Sequence, residues 1–190
     1  MGNKVLYGIE QCHVAKIIEQ DGQITYGTPF AVPGAVGLSF DPEGEETPFY
    51  ADNVKYFIAS SNQGYTGDLE LAITPTQFLT EILGRIEDEN GAIFESADDK
   101  TARFALMFQG QGDKTGRRWV FFDCTATRPS RENSTKEDSV EVGTETMTIT
   151  MSPRSTDKAV MAYIEPNETN TTIYGAFFNS VYEKDATAGV

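Results

Sequence analysis

The sequence carries one histidine, two cysteines and one tryptophan in 190 residues, and each scarcity removes a class of chemistry. With His13 as the lone imidazole, any catalytic triad or Cys–His dyad has to use it. Cys12 is its direct neighbour, and neighbours on a strand point to opposite faces, so His13 does not activate Cys12. His13 therefore reads as a structural or surface residue. Cys12 and Cys124 make neither a disulfide framework nor a metal-binding spacing. There is no G-x-S-x-G elbow and no H-E-x-x-H. No catalytic constellation and no cofactor motif is found, so neither enzyme activity nor a cofactor is expected. Long apolar runs are missing too, which removes a membrane-spanning helix and a membrane partner. The start, M-G-N-K-V-L-Y-G, has no signal-peptide core, and Leu6 stands where a myristoylation site needs Ser or Thr. The expectation is a protein made and kept in cytoplasm, whose sequons at Asn133, Asn167 and Asn170 are chance matches in Thr-rich loops.

Basic residues are also scarce. There are 15 Lys and Arg against 29 Asp and Glu, a formal net charge of −14. Residues 1–95 hold 15 acids and 4 bases, net −11; residues 96–190 hold 14 and 11, net −3. Such a chain lacks the cationic footprint that displaces counterions from nucleic acid. Its surface suits solubility, or a wall to which polyanions must not stick.

Strand signals fill most of what is present. Val5, Tyr7 and Ile9 alternate, then Val14, Lys16 and Ile18, then Ile24–Thr28 after an Asp21-Gly22 turn, which predicts a strand and a hairpin. Further strands are expected at Ala35–Phe40, from Val54, and at Leu69, Leu71 and Ile73, which alternate with Asp68 and Glu70. Phe104, Leu106 and Phe108 alternate; Val120, Phe122, Cys124 and Ala126 share a face; Met147, Ile149 and Met151 alternate with threonines. Lys158–Glu165 and Ile173–Tyr182 are the last strand candidates. The run Gly110–Gly116 joins two strands, so it is a hairpin loop rather than a phosphate cradle, which needs a helix after it. The turn Glu87–Gly91 fails as a calcium loop, because Ile86 and Ala97 fall where carboxylates belong.

One stretch is helical in pattern. Thr74 is a candidate N-cap, Pro75 fits the first helical position, and Gln77 completes a capping box. Phe78, Leu79, Ile82, Leu83 and Ile86 then form one apolar stripe of a helix at about 75–86. Roughly nine to eleven strands and one main helix predict a mainly β (α+β) fold, a single domain over 1–190. Two packed antiparallel sheets form a sandwich or barrel, with the helix flanking them. Exposed loops are expected at 41–50 and 129–139, and a loose tail at 185–190. The first loop, Asp41-Pro42-Glu43-Gly44-Glu45-Glu46-Thr47-Pro48, has no base and ends on apolar Phe49-Tyr50, which a purely solvated loop does not need.

Pro33-Gly34-Ala35, Tyr50-Ala51-Asp52-Asn53 with Tyr56, Gly67-Asp68-Leu69-Glu70-Leu71 and Phe78 through Ile82-Leu83-Gly84 occur in that order. Phe104-Ala105-Leu106 with Gly112-Asp113, Asp123-Cys124, Arg128-Pro129 and Thr146-Met147-Thr148-Ile149 follow. The ordered set, over roughly 1–165, resembles the major tail tube proteins of long-tailed, non-contractile bacteriophages; a contractile machine's tube would share the fold. The resemblance implies a structural virion protein, assembled in host cytoplasm into stacked homo-hexameric rings. The rings would surround the tape measure protein and meet other tail proteins at the tube ends. DNA would pass down the lumen in transit, without specific binding. A ring that continues sheets between subunits also removes the edge-strand liability of a strand-rich chain. The expected subunit interface is Asp41, Glu43, Glu45, Glu46, Phe49 and Tyr50, the last two as apolar anchors. The alternative is a β-sandwich module binding a ligand or carbohydrate, for which the single Trp119, on a predicted strand, is a poor stacking platform. A carboxylate hydrolase needs a cleft with two divergent carboxyls, which sequence does not locate.

Overall fold

The run Glu145–Met151 is a strand with Met147, Ile149 and Met151 buried and Thr148 and Thr150 exposed, the pattern of one dry and one wet face. A computed structural model describes residues 8–51, 54–110, 115–131 and 143–184, and of 46–51 and 54–60 the backbone. Among the described residues the chain order is β1 (Ile9–Gln20), β2 (Gln23–Tyr26), β3 (Phe30–Ala31), β4 (Ala35–Leu38), β5 (Asp41–Glu43), β6 (Glu46–Ala51), β7 (Val54–Ser60), β8 (Gly64–Leu71), α1 (Thr76–Glu81), β9 (Ile86–Glu87), β10 (Ile93–Phe94), β11 (Phe104–Gly110), β12 (Arg118–Ala126), β13 (Ser130–Arg131), β14 (Glu145–Met151), β15 (Met161–Ile164) and α2 (Thr171–Gly175).

Eleven strands make one antiparallel sheet, ordered β2-β1-β11-β12-β14-β8-β4, with β3, β5, β13 and β15 paired alongside. The sheet curls until β4 approaches β1. Its two halves face each other across a core of Val14, Leu69, Leu71, Phe104, Leu106, Phe121, Ile149 and Met151. The mainly β, two-layered antiparallel architecture with a flanking helix is thus as the sequence predicts, as are the Asp21-Gly22 hairpin and the β11–β12 hairpin.

Several local expectations are corrected. The helix is Thr76–Glu81 rather than 75–86. Gly84 ends it: its φ is +75°, and a Cβ there would lie 2.5 Å from the Lys100 carbonyl oxygen, which only glycine tolerates. Pro75 occupies the cap position without a side-chain cap, and Thr74 donates its hydroxyl to Glu145 instead. Phe78, Ile82 and Leu83 are buried and Leu79 packs partly against the core. Ile86, past the glycine, lies on β9 with 65% of its surface exposed. Ile73 is likewise exposed, since β8 stops at Leu71.

The β12 face is corrected as well. Val120 and Phe122 join one cluster, while Phe121, Cys124 and Ala126 join the other. Leu106 pairs with Phe121 but Phe104 pairs with Cys124, so β12 carries one extra residue, and that bulge flips the alternation. Ile173–Tyr182 is not a strand. Asn167 Oδ1 accepts from the Thr169 and Asn170 amides at 2.9 Å, and Tyr174 N donates to Asn170 O, which turns the chain into α2. At 129–139 a short strand forms at Ser130–Arg131. Residues 132–139 of that loop, Val5, Tyr7, Gly112 and the tail 185–190 lie outside the described residues.

Phe177 and Val181, following α2, cover the second face of β1, β11 and β12, packing with Ala15, Ala105, Met107, Val120 and Phe122. The central strands are therefore buried on both sides.

Candidate assembly surfaces

The segment expected as a loop at 41–50 is half of a long β-ribbon. Asp41–Glu43 pairs with Gly64–Thr66, inside the main sheet, and Glu46–Ala51 pairs with Val54–Ser60 beyond it. Acid-rich residues with little strand propensity are held extended because the strongly β-forming 54–60 run supplies their ladder. Gly44 allows the two arms to meet, since a Cβ there would fall 2.0 Å from the Ser61 carbonyl oxygen. Ser61 N donates to Glu45 O at 3.0 Å and Gln63 N to Glu43 O at 2.9 Å. β6 and β7 form a two-stranded sheet of their own, reaching on the order of 20 Å past the ribbon base at ~3.3 Å per residue. Such a pair is marginal in water without a further surface to lie on. Of the expected interface residues, Asp41, Glu43 and Glu45 are exposed along the ribbon. The side chains of Glu46, Phe49 and Tyr50 lie outside the described residues.

A second surface follows from register. On the outward face of the β5–β8–β14–β12 half, Asp41, Thr66, Thr150 and Thr125 form one row. Asp68, Thr148 and Thr127 form the next, and Glu70, Thr146 and Ser130 a third. None of these ten positions is basic. Neighbouring hydroxyls fix the acids: Thr148 Oγ1 donates to Asp68 at 2.9 Å and Thr144 Oγ1 to Glu70 at 2.6 Å. The expected ribbon residue Asp41 thus belongs to a wall of hydroxyls and carboxylates. Its members were missed as a site in the sequence, although the T-x-D-x-E alternation of β8 announces them.

Elsewhere the ionisable groups tie segments together. Glu145 accepts from the Thr74 amide at 2.8 Å, from its hydroxyl, and from Arg131. Burial alone would raise this carboxyl, but the Thr74 and Arg131 bonds outweigh it and hold Glu145 below the usual carboxylate range. Arg154 is buried, bonds both Asp157 and Glu183, and lies over the Phe122 ring, so it clamps the C-terminal cover to the sheet. Its guanidinium pulls Asp157 down to about 2. His13 stacks on Phe178 of the same cover, 4.8 Å between centroids, a structural place. Cys12 and Cys124 are buried on the other side of the sheet; burial pushes the Cys12 thiol up to about 12 and Cys124 upward as well, which leaves neither a ready nucleophile. Among the described residues no group of three or more His, Cys, Asp or Glu is placed to hold a metal.

No curated protein matches the chain. Among solved structures it is similar to a chain of the anti-feeding prophage baseplate, at 13% identity and TM-score 0.43 over 86% of this chain and 97% of that one. It is also similar to a chain of an extracellular contractile injection system in its extended sheath–tube complex, at 10% identity and TM-score 0.46 over 81% and 88%. A chain of the anti-feeding prophage tube-terminating cap gives 13% identity and TM-score 0.45 over 85% and 94%. The family model described as phage tail tube protein matches residues 2–190, including the last 25 residues that the sequence motifs left out. The chain belongs to the phage tail tube protein family, a family of structural tail components rather than enzymes.

Proposed function

We propose that this tail tube protein assembles with itself into stacked hexameric rings whose hollow centre surrounds the tape measure protein and later passes DNA. Assembly takes place in host cytoplasm, and other tail proteins close the tube ends. The observation that carries this reading is the base-free wall on β5, β8, β14 and β12. It offers phosphates no cation to pair with and sets the carboxylates of Asp41, Asp68 and Glu70 against them, so a polyanion sliding past is repelled rather than held. We assign that wall to the lumen. The opposite outward face is apolar and already covered by the C-terminal segment, and we assign it to the tube exterior. The projecting β6–β7 ribbon, lacking a surface of its own, lies on a neighbouring subunit or ring, with Phe49 and Tyr50 as anchors.

Negative-stain electron microscopy of purified protein across a concentration series, without the tape measure protein, tests this. Hollow tubes of one diameter with six-fold end views are the expected result. Monomers at every concentration, including after seeding with tail-tip complexes, would overturn it. Replacing Phe49 and Tyr50 by Ser should abolish tubes while leaving a folded monomer; normal tubes would remove the ribbon from the contact.

A further inference from the structure

Two edges of the curled sheet stand open: among the described residues β2 pairs with β1 alone and β15 with β12 alone. Hydrogen-bonded pairs alternate along an antiparallel ladder, so one bond in each ladder fixes which residues face outward. Gly27 N donates to Lys16 O at 2.8 Å, in register with the β1–β2 pairs. Gln23 and Thr25 therefore turn their main-chain groups toward β1, and Ile24 and Tyr26 turn theirs away. Phe122 N donates to Val160 O at 3.0 Å, in register with the β12–β15 pairs. Ala162 and Ile164 then face β12, while Met161 and Tyr163 turn N–H and C=O outward. No described residue bonds to the outward groups of these four. Soluble domains guard such edges with proline or charge. β5, with Pro42 between Asp41 and Glu43, is guarded in that way. Gln23-Ile24-Thr25-Tyr26 and Met161-Ala162-Tyr163-Ile164 hold neither. Both are nonetheless held in place: Tyr26 Oη donates to Phe122 O at 3.1 Å, and Tyr163 lies 5.1 Å from Trp119 with the Arg117 guanidinium over its ring.

We infer that β15 of one copy pairs with β2 of the next, so that the run β2-β1-β11-β12-β15 continues from subunit to subunit. The inference rests on the tube reading and names a contact within it. The occupant is a second copy because the two edges match: each is four residues long and offers the donors and acceptors of two alternate residues. Four antiparallel pairings separate β2 from β15, so both edges run the same way. A rotation repeated round a ring keeps strand direction, so the junction is parallel and heterologous, the kind that closes. With Tyr163 opposite Thr25, the Tyr163 N–H reaches Ile24 O, and Tyr163 O receives the Tyr26 N–H. The faces agree in that register. Tyr26 and Ile164 pack on the second core and fall on one side of the joined sheet, while Thr25 and Tyr163 fall on the other. Antiparallel pairing would set Tyr163 opposite Ile24 or Tyr26 and turn one copy's second core toward the other copy's first. A cleft of about 570 Å³, lined by Ile24, Thr25 and Tyr26 together with Asn179, Ser180 and Val181, leaves room beside β2 for the incoming strand.

Proline tests the main chain directly, since at an outward N–H it removes a donor that the single subunit does not use. Ile24→Pro and Tyr163→Pro should each lower tube yield by about tenfold or more, while Ile24→Ala and Tyr163→Ala stay within about twofold of wild type. Thermal melts check that each variant folds. A mixture of Thr25→Cys and Tyr163→Cys copies, assembled and treated with a short bismaleimide, should give a crosslinked dimer, and neither variant alone should; the buried Cys12 and Cys124 stay out of the reaction. Where a proline variant fails to fold, the crosslink decides. Folded proline variants with normal tubes, or wild-type tubes whose cysteine mixture gives no dimer, would overturn the junction and leave the tube reading standing. A dimer from one cysteine variant alone would mean two-fold pairing and overturn the junction too. A wild-type chain that never forms tubes would overturn both.

Discussion

Phe177→Ala probes whether the C-terminal cover is part of the fold or merely lies on it. Phe177 is 3% exposed and packs among Ala105, Met107, Val120 and Phe122, with Phe178 edge-on at 5.4 Å and Tyr182 stacked at 6.4 Å. Truncating a fully buried phenylalanine costs about 3–5 kcal/mol, the lower figure applying where neighbours close the cavity. Phe178 and Tyr182 belong to the same terminal segment and can shift, so about 3 kcal/mol is expected. At ~2–4 °C per kcal/mol for a chain of this size, the melting midpoint should fall by roughly 6–12 °C. Urea unfolding followed by Trp119 fluorescence measures this directly, since Trp119 lies parallel to Phe108 at 6.3 Å and loses that setting on unfolding. Ile173→Ala, on the exposed side of α2, should cost under about 0.5 kcal/mol. A Phe177→Ala loss below ~1 kcal/mol, or one equal to that of Ile173→Ala, would refute the second core.

Gly84→Ala should destabilise by about 2–3 kcal/mol, because it combines a φ of +75° with a Cβ 2.5 Å from a carbonyl oxygen; an unchanged urea midpoint would remove Gly84 as the helix stop. Acid should weaken the C-terminal clamp. Asp157 is held at about 2 by Arg154, below its ordinary value, so its contribution is present above the unfolded pKa near ~4 and is lost as pH falls toward 2. With Asp157 43% exposed, screening limits it to under about 1 kcal/mol; Asp157→Asn should flatten that part of the stability–pH curve. A maleimide dye at pH 8 should label neither Cys12 nor Cys124 until denaturant unfolds the chain; rapid labelling of the folded protein would contradict their burial.

The period-two strands were legible because each side chain reports its own face: Met147, Ile149 and Met151 on β14 needed nothing but alternation. Where the sequence misleads, a single residue breaks the period. One bulged position on β12 sends Phe122 and Cys124 to different cores, although their spacing by two assigns them one face. Ile86 keeps helical spacing with Ile82, yet Gly84 between them turns the chain into β9. The second core did leave a signal. In Phe104-Ala105-Leu106-Met107-Phe108 both parities are apolar, which a strand with one wet face does not need. The Glu145–Thr74 bond joins residues 71 apart, and no local pattern carries such a pairing.

These differences bear on the assembly surfaces. A sheet with two dry faces at β11 and one wet face at β14 is not symmetric front to back. Its wet half exposes threonines and acids in register, fixed by hydrogen bonds, and its dry half is closed by chain from the same subunit. A free-standing globule has no need to sort its surface so strictly. The tube wall proposed above does, because in that reading one side faces passing phosphates and the ribbon leaves the sheet at its edge to meet another copy. The sorting is set by residue type along β5, β8, β14 and β12, and a change such as Thr148→Lys would spoil it with little effect on the core beneath.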